Sequence, residues 1–260
     1  MQQPHHQSPA RFEDPLNLVI RGINKLYSLW LKATYPFASS GLKLSVHFPC
    51  EISRREAHKI RLGNFVLVRK DTWLNIVPSF DNDLKIIIDD RCVLGRRTSI
   101  SAKNSIHIER DVILSSSVLI HDHAHAYDDI TLPIRAQGVT AGGRIQIEQG
   151  CWIGNGASIM CNGGELRIGR NCVIGAEAVI TKSIPPYSVV VGNPGRVVKH
   201  FDLARQVWVQ GAVRSVGGVE TPQQVAPATH LSAELHHAIH GQSPNIDAGS
   251  LIDAREAING

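Results

Sequence analysis

The sequence repeats an aliphatic residue at every sixth position over much of its length. In the later part the repeat runs, with one short interruption, through Ile147, Ile153, Ile159, Ile168, Ile174 and Ile180. The position four residues further on holds a compact side chain, at Cys151, Ala157, Cys172 and Ala178. An amphipathic helix repeats every three to four residues, and a two-sided strand every two. The six-residue period instead predicts a β-solenoid, whose short strands each place one side chain on a narrow axis.

The same period is visible earlier in the chain. It runs through Leu62, Val68, Leu74, Ile88, Leu94, Ile100, Ile108, Leu114 and Ile120. Three repeats make one triangular turn, so residues 62–185 hold about five turns. The spacing lengthens by two residues between Ile100 and Ile108, and we expect this slip to lie at a corner of the solenoid. The repeat is interrupted again at residues 121–144, which we expect to project as a loop, and at residues 160–166, which we expect to form a smaller bulge. Projecting loops of this kind tend to carry function.

The repeat divides the chain into four segments. Residues 1–13 are polar and are expected to form a disordered leader, and residues 14–60 a helical and extended segment. Residues 61–200 form the solenoid. Residues 201–260 are expected to contain a short closing helix near 202–210, followed by a low-complexity, disordered tail.

Residues 15–35 carry apolar side chains at helical spacing, with Arg21, Lys25 and Lys32 among them. Two interpretations of this helix stay open. It packs on the end of the solenoid or on a neighbouring subunit, or it docks on an anionic membrane as an interfacial helix.

The composition narrows the class of protein. With 43% apolar residues among 260, the chain has ample material for a core. Its net charge of +4 is too small to indicate a nucleic-acid partner. The first residues lack signal-peptide features, and no apolar run reaches the roughly 18 residues that span a bilayer. We therefore expect a cytoplasmic protein whose cysteines are free thiols. If the helix of residues 15–35 docks on a membrane, the protein lies at the inner face of that membrane.

The densest group of reactive side chains is the alternating set His121, His123 and His125. Alternation in an extended segment would place the three imidazoles on one side. They could hold a metal ion, although no acidic or thiol ligand is evident nearby. They could also be solvated surface residues. The favoured interpretation is a general base, because a neutral imidazole accepts a hydroxyl proton near pH 7, with an orienting carboxylate from Asp122, Asp128 or Asp129.

A second group of polar residues follows the last repeats. It offers hydroxyl and cationic donors suited to phosphates, namely Thr181, Lys182, Arg196 and Lys199. By themselves these residues could equally be the exposed edge of a solenoid.

The segment GCWIGNGASIM, followed by RIGRNCVIGAEAVITKSIPPYSVVVGNPGRVVK, closely resembles the hexapeptide-repeat acyltransferases. The similarity covers about residues 60–200 and is greatest to the sugar and polysaccharide O-acetyltransferases, such as the galactoside and maltose acetyltransferases. The DHAH sequence at 122–125 is typical of the polysaccharide-directed members. The resemblance implies a left-handed parallel β-helix, a homotrimer with sites in the grooves between subunits, and acetyl-CoA as the donor, with no metal.

The resemblance also implies roles for particular residues. Aligned without gaps, the catalytic histidine of the family falls on His125, which we expect to be the base. A two-residue gap would place it on His123. The acceptor and thioester region is expected to involve Trp152, Asp122 and Tyr127. Contacts to the pantetheine arm and the phosphates of coenzyme A are expected from Gly154, Asn155, Ala176, Thr181, Lys182, Arg196 and Lys199.

The function implied is direct acetyl transfer to a sugar hydroxyl in exopolysaccharide, capsule or lipopolysaccharide synthesis, with a histidine base. The alternatives are N-acetylation of an amino sugar, O-acetylation of serine, and a γ-carbonic-anhydrase-like or scaffold solenoid without transferase activity. The bulge at 160–166 puts the expected donor contacts in question, and the tail after residue 200 has no counterpart in the family.

Overall fold

A computed structural model describes residues 15–211. After the helix α1 (Pro15–Thr34), the first strands are β1 (Ser39–Ser40), β2 (Ser45–Val46), β3 (Glu51–Ile52), β4 (Ile60–Leu62), β5 (Leu67–Val68), β6 (Trp73–Ile76), β7 (Ile86–Ile88), β8 (Val93–Leu94) and β9 (Ser99–Ala102). They are followed by β10 (Ser105–Ile108), β11 (Ile113–Leu114), β12 (Leu119–His121), β13 (Gly142–Ile147), β14 (Trp152–Ile153), β15 (Ser158–Met160), β16 (Gly163–Ile168), β17 (Val173–Ile174), β18 (Val179–Ile180), β19 (Ser188–Val191), β20 (Arg196–Asp202) and β21 (Val207–Gln210). Two short 3₁₀ helices span Ala57–Lys59 and Ile134–Ala136.

The strands form the three faces of a left-handed parallel β-helix. The first face is β1-β4-β7-β10-β13-β16 and the third is β3-β6-β9-β12-β15-β18. The second face contains β2-β5-β8-β11-β14-β17 and continues into β19, β20 and β21. Each coil adds one strand to each face in parallel register, so the solenoid has six coils.

The aliphatic residues of the repeat fill the axis of the solenoid. Ile120, Ile153 and Ile174 are fully buried, and the compact residues Cys151 and Ala157 lie beside them. In-register pairing stacks each residue on its equivalent in the next coil, as Leu114 stacks on Ile153. The predicted solenoid is therefore confirmed.

The solenoid begins one coil earlier than predicted. Ser39–Ser40, Ser45–Val46 and Glu51–Ile52 form the first strand of each face, so the boundary at residue 61 is wrong. The six-residue spacing is present there as Ser40, Val46 and Ile52. The pattern is obscured because a serine stands where the later coils have an aliphatic residue.

The helix α1 covers the open edge of this first coil. Asn24 accepts the N–H of Phe48 (3.0 Å), and the Ser28 hydroxyl accepts the N–H of Val46 (2.8 Å). Leu31 is fully buried against the end of the axis. An uncovered strand edge would expose unpaired backbone groups, and these side chains satisfy them. Within residues 15–211, no helix has the length and apolar content that crossing a bilayer requires.

The predicted closing helix near 202–210 is wrong. Residues 196–210 form an antiparallel hairpin, β20 and β21, which extends the second face beyond β19. Phe201 and Trp208 pack edge to face across it, with ring centroids 5.4 Å apart. Alternating β-branched and aromatic residues such as these favour strand. The expected leader 1–13 and low-complexity tail lie outside the described residues.

Two irregular segments leave the third face on the same side. The two-residue slip after Ile100 lies at a corner, where Lys103 and Asn104 separate β9 from β10. One coil further on, residues 122–141 project between β12 and β13 as predicted. A backbone bridge between His125 and Val139 closes the base of that loop.

Candidate active site

A buried carboxylate lies at the base of the projecting loop. The Asp122 side chain is fully buried, and its oxygens accept the backbone N–H groups of Lys103 (2.7 Å), Asn104 (2.7 Å) and Ser105 (2.9 Å). The corner insertion of the preceding coil thus wraps around it. Backbone donors of this kind stabilise an ionised carboxylate without a neighbouring cation.

His123 completes a carboxylate–imidazole pair with Asp122. Its Nδ1 lies 2.9 Å from Asp122 Oδ1, and its side chain is only 11% exposed. An ionised carboxylate only accepts hydrogen bonds, so Nδ1 carries the proton and Nε2 keeps its lone pair. The imidazole is therefore held in the tautomer and orientation that a general base needs.

His121 packs beside this pair. Its ring is nearly parallel to that of His123, with centroids 6.2 Å apart, and meets the Trp73 ring edge to face at 6.3 Å. Its Nε2 lies 3.1 Å from the Ser99 hydroxyl. Burial, and to a lesser degree the neighbouring His123, lower the pKa of His121, while Asp122 opposes the shift.

His125 lies in a different environment. It is exposed on the projecting loop, and within residues 15–211 no side chain forms a hydrogen bond with its ring. Tyr127, further along the loop, is 66% exposed. The expectation that three imidazoles share one side is thus met only by His121 and His123, because the extended backbone ends after β12.

Trp152 is on another face of the solenoid. It lies on β14 of the second face, where its indole N–H donates to the Ser115 hydroxyl (3.0 Å). His123 follows β12 of the third face. One chain therefore does not bring Trp152 and His123 into a single site.

The expected pantetheine contacts form one corner between the second and third faces. Asn155 and Ala176 are exposed there in adjacent coils, linked by the bond from the Glu177 N–H to the Asn155 carbonyl (2.8 Å). Gly154 precedes them, and a Cβ on it would lie 2.6 Å from the backbone nitrogen of Ala176. Glycine is thus required for the close stacking of the two coils.

Three of the four predicted phosphate ligands converge on one cleft. Thr181, Lys182 and Arg196 line a shallow depression at the C-terminal end of the solenoid, together with Gly195. Lys199 does not reach it. Its ammonium group lies over the Trp208 ring, 5.7 Å from the centroid.

The sequence did not indicate several of these contacts. Lys103 and Asn104, which donate to Asp122, appear in the sequence only as two extra residues between repeats. The repeat pattern does not indicate that these residues contact a carboxylate in the next coil. Trp73 and Ser99 gave no signal beyond their place in the repeat. Across the described coils, no group of three or more His, Cys, Asp and Glu side chains is arranged to hold a metal ion.

Comparison with known proteins agrees with this architecture. Residues 165–193 match a family model described as "Hexapeptide repeat of succinyl-transferase". A probable acetyltransferase of Mycobacterium tuberculosis is 39% identical over 149 residues, which are 57% of this chain and 47% of that protein. An Escherichia coli protein named "Putative lipopolysaccharide biosynthesis O-acetyl transferase" is 26% identical over 173 residues, 63% of this chain and 82% of that protein.

Among solved structures, an N-acyltransferase from Bacillus cereus in complex with dTDP and 3-hydroxybutyryl-CoA shares the fold. The TM-score is 0.52 at 19% identity, over 68% of this chain and 86% of that one. The chain spans about half the length of the mycobacterial relative. Together, the repeat and the named relatives confirm the predicted resemblance to the hexapeptide-repeat acyltransferases.

Proposed function

We propose that this hexapeptide-repeat protein is an acetyl-CoA-dependent O-acetyltransferase that acts on a sugar hydroxyl in exopolysaccharide, capsule or lipopolysaccharide synthesis. The observation that carries the proposal is the buried Asp122–His123 pair at the base of the projecting loop. The names of the relatives support acetyl transfer, and that of the Escherichia coli relative supports a saccharide acceptor. The reaction is placed in the cytoplasm, where acetyl-CoA is made.

The proposed base is His123, in place of His125, which the ungapped alignment favoured. His123 has an orienting carboxylate, whereas the ring of His125 has no hydrogen-bond partner in the described part of the chain. Nε2 of His123 takes the proton of the acceptor hydroxyl as the oxygen attacks the thioester carbonyl. The C–S bond then breaks, and the imidazolium returns the proton to the departing thiolate. The products are an acetyl ester and free coenzyme A.

Asp122 is a positioning residue in this scheme. When His123 becomes an imidazolium, the adjacent carboxylate stabilises the new charge without moving, because backbone N–H groups hold it. Such preorganisation removes the cost of reorienting groups as charge develops in the transition state.

The proposed assembly is a homotrimer with one site between each pair of subunits. Trp152 and His123 lie on different faces of one chain, so a second copy is needed to place a tryptophan opposite the histidine. At this corner Asn155 and Ala176 are exposed above the buried Gly154, and an amide-bearing pantetheine arm could lie along them.

The phosphates of coenzyme A are assigned to the cleft of Thr181, Lys182 and Arg196. A hydroxyl, an ammonium and a guanidinium group on one shallow surface suit phosphate recognition. Lys199 is not included among these residues because its ammonium group lies over the Trp208 ring.

A second candidate reaction is N-acylation of an amino sugar. It is favoured by the shared fold with the Bacillus cereus N-acyltransferase, and the same base could take a proton from an attacking amine. The two reactions differ in their product, since one yields an ester and the other an amide.

The experiment is an acceptor screen. The full chain is incubated with acetyl-CoA and a panel of sugars, nucleotide-linked amino sugars and serine, while thiol release is measured and products are identified by mass spectrometry. We expect an acetylated sugar whose acetyl group is released by hydroxylamine, and its loss in His123→Ala. A hydroxylamine-resistant product would establish the N-acylation reaction instead, and no acetylated product from any acceptor would contradict acetyl transfer.

A further inference from the structure

The helix α1 presents its apolar side to solvent. Val19, Ile23, Leu26 and Trp30 are between 48% and 68% exposed, whereas the polar residues Asn24 and Ser28 are buried. A helix that packs on a core ordinarily does the opposite. Apart from Leu31 and the partly buried Tyr27, the residues that α1 turns towards the solenoid are therefore polar.

The buried polar side has a structural cause. Asn24 and Ser28 bind backbone groups of Val46 and Phe48 on the edge strand, which would otherwise be unpaired. The apolar side is then free for another use. It extends past the helix, because Phe48 is 57% exposed and contacts Tyr27 edge to face, with ring centroids 5.3 Å apart. A contiguous apolar surface of this kind usually marks an interaction site.

The charged residues of the helix have one sign. The helix sequence contains Arg21, Lys25 and Lys32 and no aspartate or glutamate. Lys32 donates to the Gly41 carbonyl on the solenoid (3.0 Å). At 100° per residue, Arg21 and Lys25 fall on the flank between the buried and the apolar sides. The long Lys25 side chain can reach anionic groups from there while its stem covers apolar surface.

We propose that the apolar face of α1, formed by Val19, Ile23, Leu26 and Trp30, binds the surface of an anionic lipid bilayer with the helix parallel to the interface. An apolar stripe with basic flanks and aromatic residues is the pattern of interfacial helices. A second copy of the same face, packed against it across a two-fold axis, would bring like charges together. This proposal does not depend on acetyl transfer.

The test is co-flotation of the full chain with vesicles of phosphatidylcholine alone or mixed with phosphatidylglycerol. We expect binding to the anionic vesicles that weakens as salt rises. Val19→Glu combined with Leu26→Glu should lower the partition coefficient at least about tenfold, since each side chain buries apolar area in the interface. The matched control, Leu203→Glu with Val207→Glu, changes exposed apolar residues of the β20–β21 hairpin, at the opposite end of the second face from α1, and should bind as the wild type does.

A second variant tests the charges alone. Lys25→Gln should lose about fivefold in binding to anionic vesicles, from about 1 kcal/mol for a cation near the surface. It should bind phosphatidylcholine as the wild type does. Melting temperatures compare the folding of the variants.

Three results would overturn the proposal. The full chain could fail to bind anionic vesicles at low salt, or the glutamate variant could bind as the wild type does. The glutamate variant could also have a smaller assembly mass while neither protein binds vesicles, which would assign the surface to a second copy of the chain. None of these results involves acetyl-CoA, so acetyl transfer is judged separately.

Discussion

Replacing Asp122 by asparagine changes one oxygen to an amide group and keeps the shape of the side chain. Oδ2 accepts the N–H groups of Asn104 and Ser105, so the asparagine oxygen takes that position. The NH₂ group then faces the Lys103 N–H and the Nδ1 of His123, where Oδ1 accepts hydrogen bonds in the wild type. It can donate to His123 only if Nδ1 gives up its proton.

Two effects follow from this exchange. The Lys103 N–H is left without an acceptor in a buried site, which costs about 1.5–3 kcal/mol of unfolding free energy. The His123 proton moves to Nε2, which then has no lone pair for the acceptor hydroxyl. We expect the rate of acetyl transfer to fall about 10²–10⁴-fold, the usual contribution of a general base.

Three measurements check these values. Urea unfolding gives the loss of stability, thiol release with an acceptor found by the screen gives the rate, and nitrogen-15 NMR of the imidazole shows which nitrogen is protonated. Asp128→Asn, a change at an exposed aspartate of the same loop, is the matched control and should alter none of them. A protonated Nδ1 and an unchanged rate in Asp122→Asn would refute the reasoning.

Three other predictions concern the core, the acid response and the donor site. Ile153→Ala removes a fully buried side chain and should cost about 2–5 kcal/mol in urea unfolding. The folded state lowers the pKa of His121, so as the pH falls the unfolded chain binds a proton on this imidazole before the folded chain does. The free energy of unfolding should therefore fall as the pH drops below about 6.5, and it should fall less steeply in His121→Gln. Lys182→Ala with Arg196→Ala should raise the KM for acetyl-CoA about tenfold, an effect that shrinks at high salt, while Lys199→Ala leaves it unchanged. A KM that rises in Lys199→Ala alone would assign the phosphates elsewhere.

The six-residue period predicted the core because the solenoid geometry that sets the period also decides which side chains point inward. The spacing records one inward side chain per short strand, so it places Ile120 and Ile153 on the axis without further information. The first coil does not stand out in the sequence because Ser40 interrupts the aliphatic series. At residues 202–210 the pattern favoured a helix where β21 and the turn before it lie, because a short segment with alternating and clustered apolar residues fits both periods.

The pairing of Asp122 with His123 depends on contacts between coils. The N–H groups of Lys103 and Asn104 come from the preceding coil, and a repeat pattern does not show which corners face each other. The gap in the alignment left His123 and His125 as alternatives, and only burial and hydrogen bonding separate them. The orientation of α1 was also hidden, because it is set by unpaired backbone groups on an edge strand.

The most direct test of the central claim compares two single variants. Thiol release from acetyl-CoA is measured with one identified sugar acceptor in the wild type, His123→Ala and His125→Ala. We predict that His123→Ala lowers the rate about 10²–10⁴-fold, whereas His125→Ala stays within a few fold of the wild type. A full rate in His123→Ala together with a collapse in His125→Ala would contradict the assignment of the Asp122–His123 pair as the catalytic centre.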